Sequence, residues 1–473
     1  MKPFVGRKTE LHQLQEFRKR KIAGLVVVCG RRRVGKSTLI EQFAQESRFL
    51  EFYGLPPDQG LTVQGQLNHF SKLLGSYFQL PAVKLENWHQ ALSLLAQLTR
   101  EGQFTILLDE ISWMAGSDKA FPGVLKGVWD TQLKKNPRLI LILCGSVTSW
   151  IEDNILYGTG FMGRVSLTIH LKEMPLSDAN LFWGNRSISA HEKFKVLCVT
   201  GGIPRYLEEM KPEETAEHNI KRLCFTKGGV LVDEFDKIFR DIFLKQADDY
   251  KKIVQALVHG SCDLGELCKK LGILPTGGLS RKLHVLEQAG FIVRHYVWEK
   301  GTKKSKLSKF RLSDNYLRFY LKYIDPKRSL VEQGLYPDLF LEDLPDWETV
   351  MGLQFENLVL NNLLPIQKLL HIPPSSLLSV APYFRRATKR QKGCQIDLLI
   401  QTRHSLYPCE IKFGKKITSN VLQEMAEKIE LLPSPQGMSI RPVLIYQGEL
   451  APAIKEADLF THLIPFEQLL QVC

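Results

Sequence analysis

The sequence predicts an α/β protein of several domains, with a parallel-sheet unit first and a second α/β unit last. Three observations predict it. The chain has 473 residues, more than one compact core usually holds. Apolar strand-like runs in the N-terminal part, LVVVC, FTILLD and LILILCG, are separated by stretches of helical periodicity. Towards the C-terminus, QIDLLIQTRHSLYPCEIKFG places two Ile- and Leu-rich runs about a short polar turn, as neighbouring strands would be.

The bulk numbers narrow the class. Hydrophobic content of 44% and charged content of 24% are those of a soluble globular protein. No apolar run approaches the roughly 20 residues of a membrane span, and the charged start MKPFVGRKTELHQLQEF has no secretory h-region. The nine cysteines lack metal-ligand spacing and read as reduced thiols, so a cytoplasmic protein without membrane contact is expected. A formal charge of +13 favours polyanions such as nucleic acid or anionic membrane surfaces.

The first element with chemistry lies in LVVVCGRRRVGKSTLIEQF. A strand-like run at 25–29 leads into Gly30-Arg31-Arg32-Arg33-Val34-Gly35-Lys36-Ser37, followed by Thr38 and a helical pattern. This fits the P-loop pattern, whose glycines let backbone N–H groups and a helix N-terminus face phosphate oxygens. ATP is therefore the expected cofactor, with Lys36 on the β- and γ-phosphates and Ser37 on Mg²⁺. FTILLDEI ends a strand in two acids: Asp109 suits the Mg²⁺ side and Glu110 suits polarising the attacking water. A further strand, LILILCGS, ends in Ser146, placed to sense the γ-phosphate.

Taken in order, FVGRKTEL, GRRRVGKST, LLDEISWM, LCGSVTSWI, FMGRVSLTIHLKEMPLS and GGIPRYLEEM resemble the archaeal-type ATPase family of the AAA+ superfamily. The resemblance implies an ATPase core over 1–175 and a helical lid over 176–235. It also implies that Gly6 and Arg7 lie near the adenine and that Gly202-Ile203-Pro204 forms a lid motif near the nucleotide. Arg164 becomes a candidate arginine finger, acting in trans if subunits self-associate.

Residues 236–325 read as a winged helix-turn-helix. Apolar positions recur at helical spacing over 253–257, 264–271 and 279–286, with Asp263 as an N-cap and Gly290 as a stop; a β-pattern with a lysine-rich tip follows. Residues 251–312 hold 13 Lys/Arg against 4 Asp/Glu. Lys303, Lys304 and Lys306 on the wing could contact phosphates, while Ser280, Arg281 and Lys282 open the recognition helix. Winged helices also bind proteins, and AAA+ proteins use them to pack against neighbours.

The last segment, 326–473, begins with a connection and the helical GLQFENLVLNNLL, which carries Glu356. On the paired strands, Glu410 and Lys412 share one face because side chains alternate, and Asp397 can join them from the neighbouring strand. Two carboxylates can hold a divalent cation, and Lys412 could position water or stabilise an oxyanion. Asp397-x12-Glu410-x-Lys412 resembles the PD-(D/E)xK core of restriction-endonuclease-like nucleases, with Glu356 completing a Mg²⁺ or Mn²⁺ site and Gln423 a looser candidate. Arg385, Arg386, Lys389, Arg390 and Lys392 would hold phosphates nearby. The expectation is an ATP-hydrolysing DNA-binding protein with a metal-dependent endodeoxyribonuclease domain gated by the ATPase. The alternative is a signalling or scaffold ATPase whose last two domains bind protein and whose Asp–Lys–Glu cluster is only a salt bridge.

Overall fold

The chain divides into two units, Met1–Glu173 and Met174–Cys473. The structure, a computed structural model, describes residues 4–472 except 57–60, 82, 147, 301–304, 306, 337, 339, 390, 434 and 435.

The first unit is built on β1 (Gly24–Cys29), β2 (Arg48–Tyr53), β3 (Phe104–Asp109), β4 (Leu139–Gly145) and β5 (Val165–His170), in the order β2-β3-β4-β1-β5. Every pair is parallel. A parallel sheet is covered on both faces, which is why β1 and β4 are uninterrupted buried runs rather than alternating ones. Helices Val63–Phe78 and Trp88–Leu98 begin on Thr62 and Asn87, whose side chains accept from the first-turn N–H groups of Gly65 and Gln90. They bring Phe70 and Trp88 against Phe52 and Phe121 in a chain of ring contacts 4.4–5.6 Å apart. This packing fixes the C-terminal ends of β1 and β3, where the charged residues lie.

The second unit opens with short helices, among them Ala190–Thr200, Ala216–Cys224 and Glu234–Phe243. Helices Ala247–Ala256, Leu264–Leu271 and Gly277–Gln288 follow, with β6 (Cys262–Asp263), β7 (Ile292–Tyr296) and β8 (Ser308–Leu312) forming the sheet β6-β8-β7. Asp263 and Glu266 make a reciprocal capping box on Leu264–Leu271. Gly290, at φ 76°, ends the third helix in a conformation that favours glycine.

Helix Trp347–Leu360 then leads to β9 (Leu377–Arg385), β10 (Cys394–Thr402), β11 (Ser405–Ile417), β12 (Ser439–Ile440), β13 (Val443–Leu450) and β14 (His462–Pro465). Their order is β14-β13-β11-β10-β9, with β12 beside β11. β10 is antiparallel to β9 and β11, while β11–β13 and β13–β14 are parallel.

Two interior features tie this unit together. Phe194, from helix Ala190–Thr200, meets Phe355, Phe413 and Phe466 at 5.5, 5.1 and 5.3 Å. The helix expected to be lid is thus joined through rings to helix Trp347–Leu360 and to β11. Arg318 is buried, and its guanidinium donates to the carbonyls of Val258, Leu312 and Leu353 and to Gln354 Oε1. Burial, then Arg311, pulls its pKa down to about 10, so it stays charged at neutral pH. Arg311 adds bonds to Asn357 and Asn361 of the same helical region. The three-helix segment and helix Trp347–Leu360 therefore share a buried polar seam.

Candidate functional site

The phosphate site is assembled at the end of β1. Gly30 has φ 150°, and a Cβ there would lie 2.2 Å from the Leu171 carbonyl oxygen, so the close approach of the next chain segment requires glycine. Arg33 and Gly35 both have positive φ, 73° and 87°, and between them turn the loop into helix Lys36–Ala44. Lys36 Nζ donates to the carbonyls of Gly30 and Arg31 at 3.0 and 3.1 Å, lying across the loop's own mouth. Val34 and Arg31 are buried, Arg32 lies 5.5 Å over the Trp113 ring, and Thr38 is exposed.

β3 delivers the acids. Ser37 Oγ donates to Asp109 Oδ2 at 3.0 Å, so the hydroxyl and carboxylate expected on the metal side are neighbours. Two hard oxygen donors beside a phosphate loop fit Mg²⁺, which when bound would neutralise phosphate charge. Glu110 sits in the left-handed region at φ 47°, and its carboxylate accepts from Ser146 N at 3.1 Å and from Ser146 Oγ at 2.9 Å. Ser146 therefore touches Glu110, a pairing the sequence did not suggest. If the hydroxyl aims Glu110, Ser146→Ala will lower the ATPase kcat about tenfold and leave nucleotide Kd within about threefold. Steady-state turnover beside nucleotide titration checks this.

Arg7 follows Gly6 in a left-handed turn, with φ values of 56° and 67°. Its guanidinium donates to the carbonyls of Val34 and Lys172, bracing the loop from outside. Arg164, the candidate finger, is engaged within its own unit: Nε donates to both oxygens of Asp130, at 3.0 and 2.8 Å. Gly202 and Pro204 belong to the second unit. There Met174 N donates to Gly202 O at 2.6 Å, a Cβ on Gly202 would lie 2.2 Å from Met174 O, and Pro204 starts helix Pro204–Leu207.

Strand, glycine-rich loop, helix and acidic strand end define the first unit as a P-loop ATPase domain. Residues 4–210 match a family described as an ATPase domain predominantly from Archaea. Over 403 residues the chain is 24% identical to an uncharacterized protein of Methanocaldococcus jannaschii, covering 84% of each. Among solved structures, a Walker-type ATPase of Pyrococcus abyssi aligns at TM-score 0.48 and 17% identity, over 67% of this chain and 96% of that one. The ORC2 protein of Aeropyrum pernix, in its ADPNP–ADP complexes, aligns at TM-score 0.42 and 12% identity, over 70% and 96%.

The expected metal centre of the C-terminal sheet is arranged differently. The β9–β10 register shifts between Ile396 and Leu399, an irregularity at Asp397 of the kind that re-aims a side chain. Asp397 Oδ2 accepts the Ile411 N–H at 3.2 Å, so the carboxylate does reach β11. Burial, then the nearby charges of Glu410 and Glu356, push its pKa up to about 7. Glu410 is 3% exposed, and its two oxygens face Lys428 Nζ at 2.6 Å and Lys412 Nζ at 3.2 Å. Lys412 also meets Glu424 at 2.8 Å; burial lowers its pKa, but Glu424 and Glu410 outweigh that and leave it raised.

Glu356, Asp397 and Glu410, expected as a metal set, do not converge on one point in this structure. Among the described residues no group of three His, Cys, Asp or Glu side chains could hold an ion. Two ammonium groups, those of Lys428 and Lys412, balance Glu410. Lys428 and Glu424 went unnoticed in the sequence, although their i,i+4 spacing on helix Asn420–Leu431 could have placed both on the face towards β11. Gln423 bonds Glu427 on its own helix at 3.1 Å.

The basic residues divide likewise. Ser280 and Arg281 are exposed at the start of helix Gly277–Gln288, as are Lys389 and Lys392 in the β9–β10 connection. Lys282 is committed to Asp249 at 2.6 Å, and Arg386 to Asp263 of the capping box. Arg385 Nε donates to the Lys392 carbonyl at 3.3 Å. Lys303, Lys304, Lys306 and Arg390 lie outside the described residues.

Proposed function

We propose that the chain is an ATP-hydrolysing, DNA-binding protein of AAA+ type, in which nucleotide state governs how the second unit holds DNA. The observation that carries the reading is the assembled phosphate site, where Lys36 lies across a glycine-shaped loop and Ser37 meets Asp109 at 3.0 Å. DNA is the partner that the charge favours. Residues 251–312 contain 13 Lys/Arg against 4 Asp/Glu, and their described part forms three helices and an antiparallel hairpin, the layout of a winged helix-turn-helix. Exposed Ser280 and Arg281 would enter the groove, and the exposed bases of the β9–β10 connection would follow the backbone.

Binding of a labelled duplex across a salt series tests this. With around five phosphate contacts, affinity should fall about 10²–10³-fold between roughly 50 and 200 mM salt, because each contact releases counterions. Weak, salt-insensitive binding would instead favour the reading in which these segments hold protein partners. A second reading adds DNA cleavage. It is supported by the irregularity that turns Asp397 towards β11, beside Glu410 and Lys412. Branched, single-stranded and duplex DNA incubated with Mg²⁺ or Mn²⁺ decide it: cleavage lost in Asp397→Ala with ATPase intact supports a nuclease, and no cleavage by wild type removes it.

A further inference from the structure

We infer that Lys428 is a built-in cation that competes with divalent metal for the Glu410 carboxylate, so that the C-terminal cluster as folded excludes a metal ion. The inference runs against the second reading above, because metal-dependent cleavage would need the ion that Lys428 keeps out. It starts from the electrostatics of a buried carboxylate. Glu410, at 3% exposure, has lost most of its water and must be balanced by a positive group at hydrogen-bond distance.

A metal ion could do this, but the fold supplies two ammonium groups. Lys428 takes Oε2 at 2.6 Å and Lys412 takes Oε1 at 3.2 Å, leaving neither oxygen without a cation. Lys428 is held by its helix. It lies one turn after Glu424, and Glu424 anchors Lys412 at 2.8 Å. The four groups thus alternate in sign as Lys428, Glu410, Lys412 and Glu424, with each neighbouring pair in contact.

Asp397 leaves one oxygen for a metal, since the other accepts the Ile411 N–H, and that alone does not complete a set. Glu356 does not supply a third ligand either, because no three such groups converge among the described residues. A divalent ion arriving here must displace the Lys428 ammonium and leave it in a largely desolvated place. Occupancy by the ion and by Lys428 should therefore be mutually exclusive.

The experiment is Mn²⁺ binding to the full chain without nucleotide, followed by electron paramagnetic resonance and calorimetry. Wild type should take up no Mn²⁺ that depends on Asp397. Lys428→Met, which keeps the length of the side chain without its charge, should bind one Mn²⁺ about 10- to 100-fold more tightly than wild type, the worth of one charge-assisted bond to a buried carboxylate. Asp397→Asn in that background should abolish the gain, which assigns it to this cluster and not to the phosphate site.

Lys428→Gln serves as a second variant if the methionine protein does not fold, and circular dichroism verifies the fold of each. Tight, Asp397-dependent Mn²⁺ binding by wild type overturns the inference. So does a folded Lys428 variant with no gain. Tight binding by wild type would also favour the nuclease reading, which the cleavage assay decides separately.

Discussion

Lys36→Ala is expected to abolish ATP turnover while leaving the protein folded. In the structure the ammonium is buried at the loop mouth and bonds the carbonyls of Gly30 and Arg31, at 3.0 and 3.1 Å. Those bonds are replaceable by water when the loop is empty. An incoming triphosphate would draw the ammonium onto its β- and γ-oxygens, where it offsets the charge that grows in the transition state. Losing such a preorganised donor costs about 10²–10³-fold in kcat, with nucleotide affinity weakened as well. A phosphate-release assay beside a thermal melt separates the two effects: turnover should vanish into background, and Tm should move little. Substantial residual turnover would mean that the loop is not the hydrolytic site.

Arg318→Ala should have the largest effect on stability. Its guanidinium satisfies the carbonyls of Val258, Leu312 and Leu353 and the amide oxygen of Gln354 in the buried seam between the three-helix segment and helix Trp347–Leu360. Alanine would leave these acceptors buried without a donor and open a cavity the size of the side chain. Each unsatisfied acceptor costs about 1–3 kcal/mol, and relaxation recovers part, so a net loss of at least about 3 kcal/mol is expected. For a unit of this size that corresponds to a fall of roughly 5–10 °C in the melting of the second unit. Arg318→Lys should recover only part, because one ammonium cannot reach all four acceptors. A melt unchanged by the alanine variant would show that the seam is not what holds these segments together.

The features legible in the sequence are those whose geometry is local. The P-loop was readable because eight consecutive residues fix it, with a buried strand before and a helix after. Asp109 and Glu110 were readable because a strand that ends in acids delivers them to a sheet edge wherever the strand is placed. The Asp263–Glu266 capping box and the Gly290 stop belong to the same kind.

What was not legible depends on pairs distant in the chain. Arg164 finds Asp130 across 34 positions, Arg386 finds Asp263 across 123, and Lys282 finds Asp249 across 33. In each case a base expected to meet a phosphate has a carboxylate of its own chain instead. The C-terminal cluster shows both sides: strand alternation did bring Glu410 and Lys412 onto one face, and the contribution of Lys428 came from a helix whose approach no pattern in β10 or β11 announces.

The ring contact between Phe194 and Phe413, stacked 5.1 Å apart, has a mechanical consequence. Phe413 lies on β11 three residues beyond Glu410, and strands stretch very little along their length. Helix Ala190–Thr200 is therefore packed directly onto the carboxylate-bearing strand. A tilt of that helix would be felt three residues from Glu410.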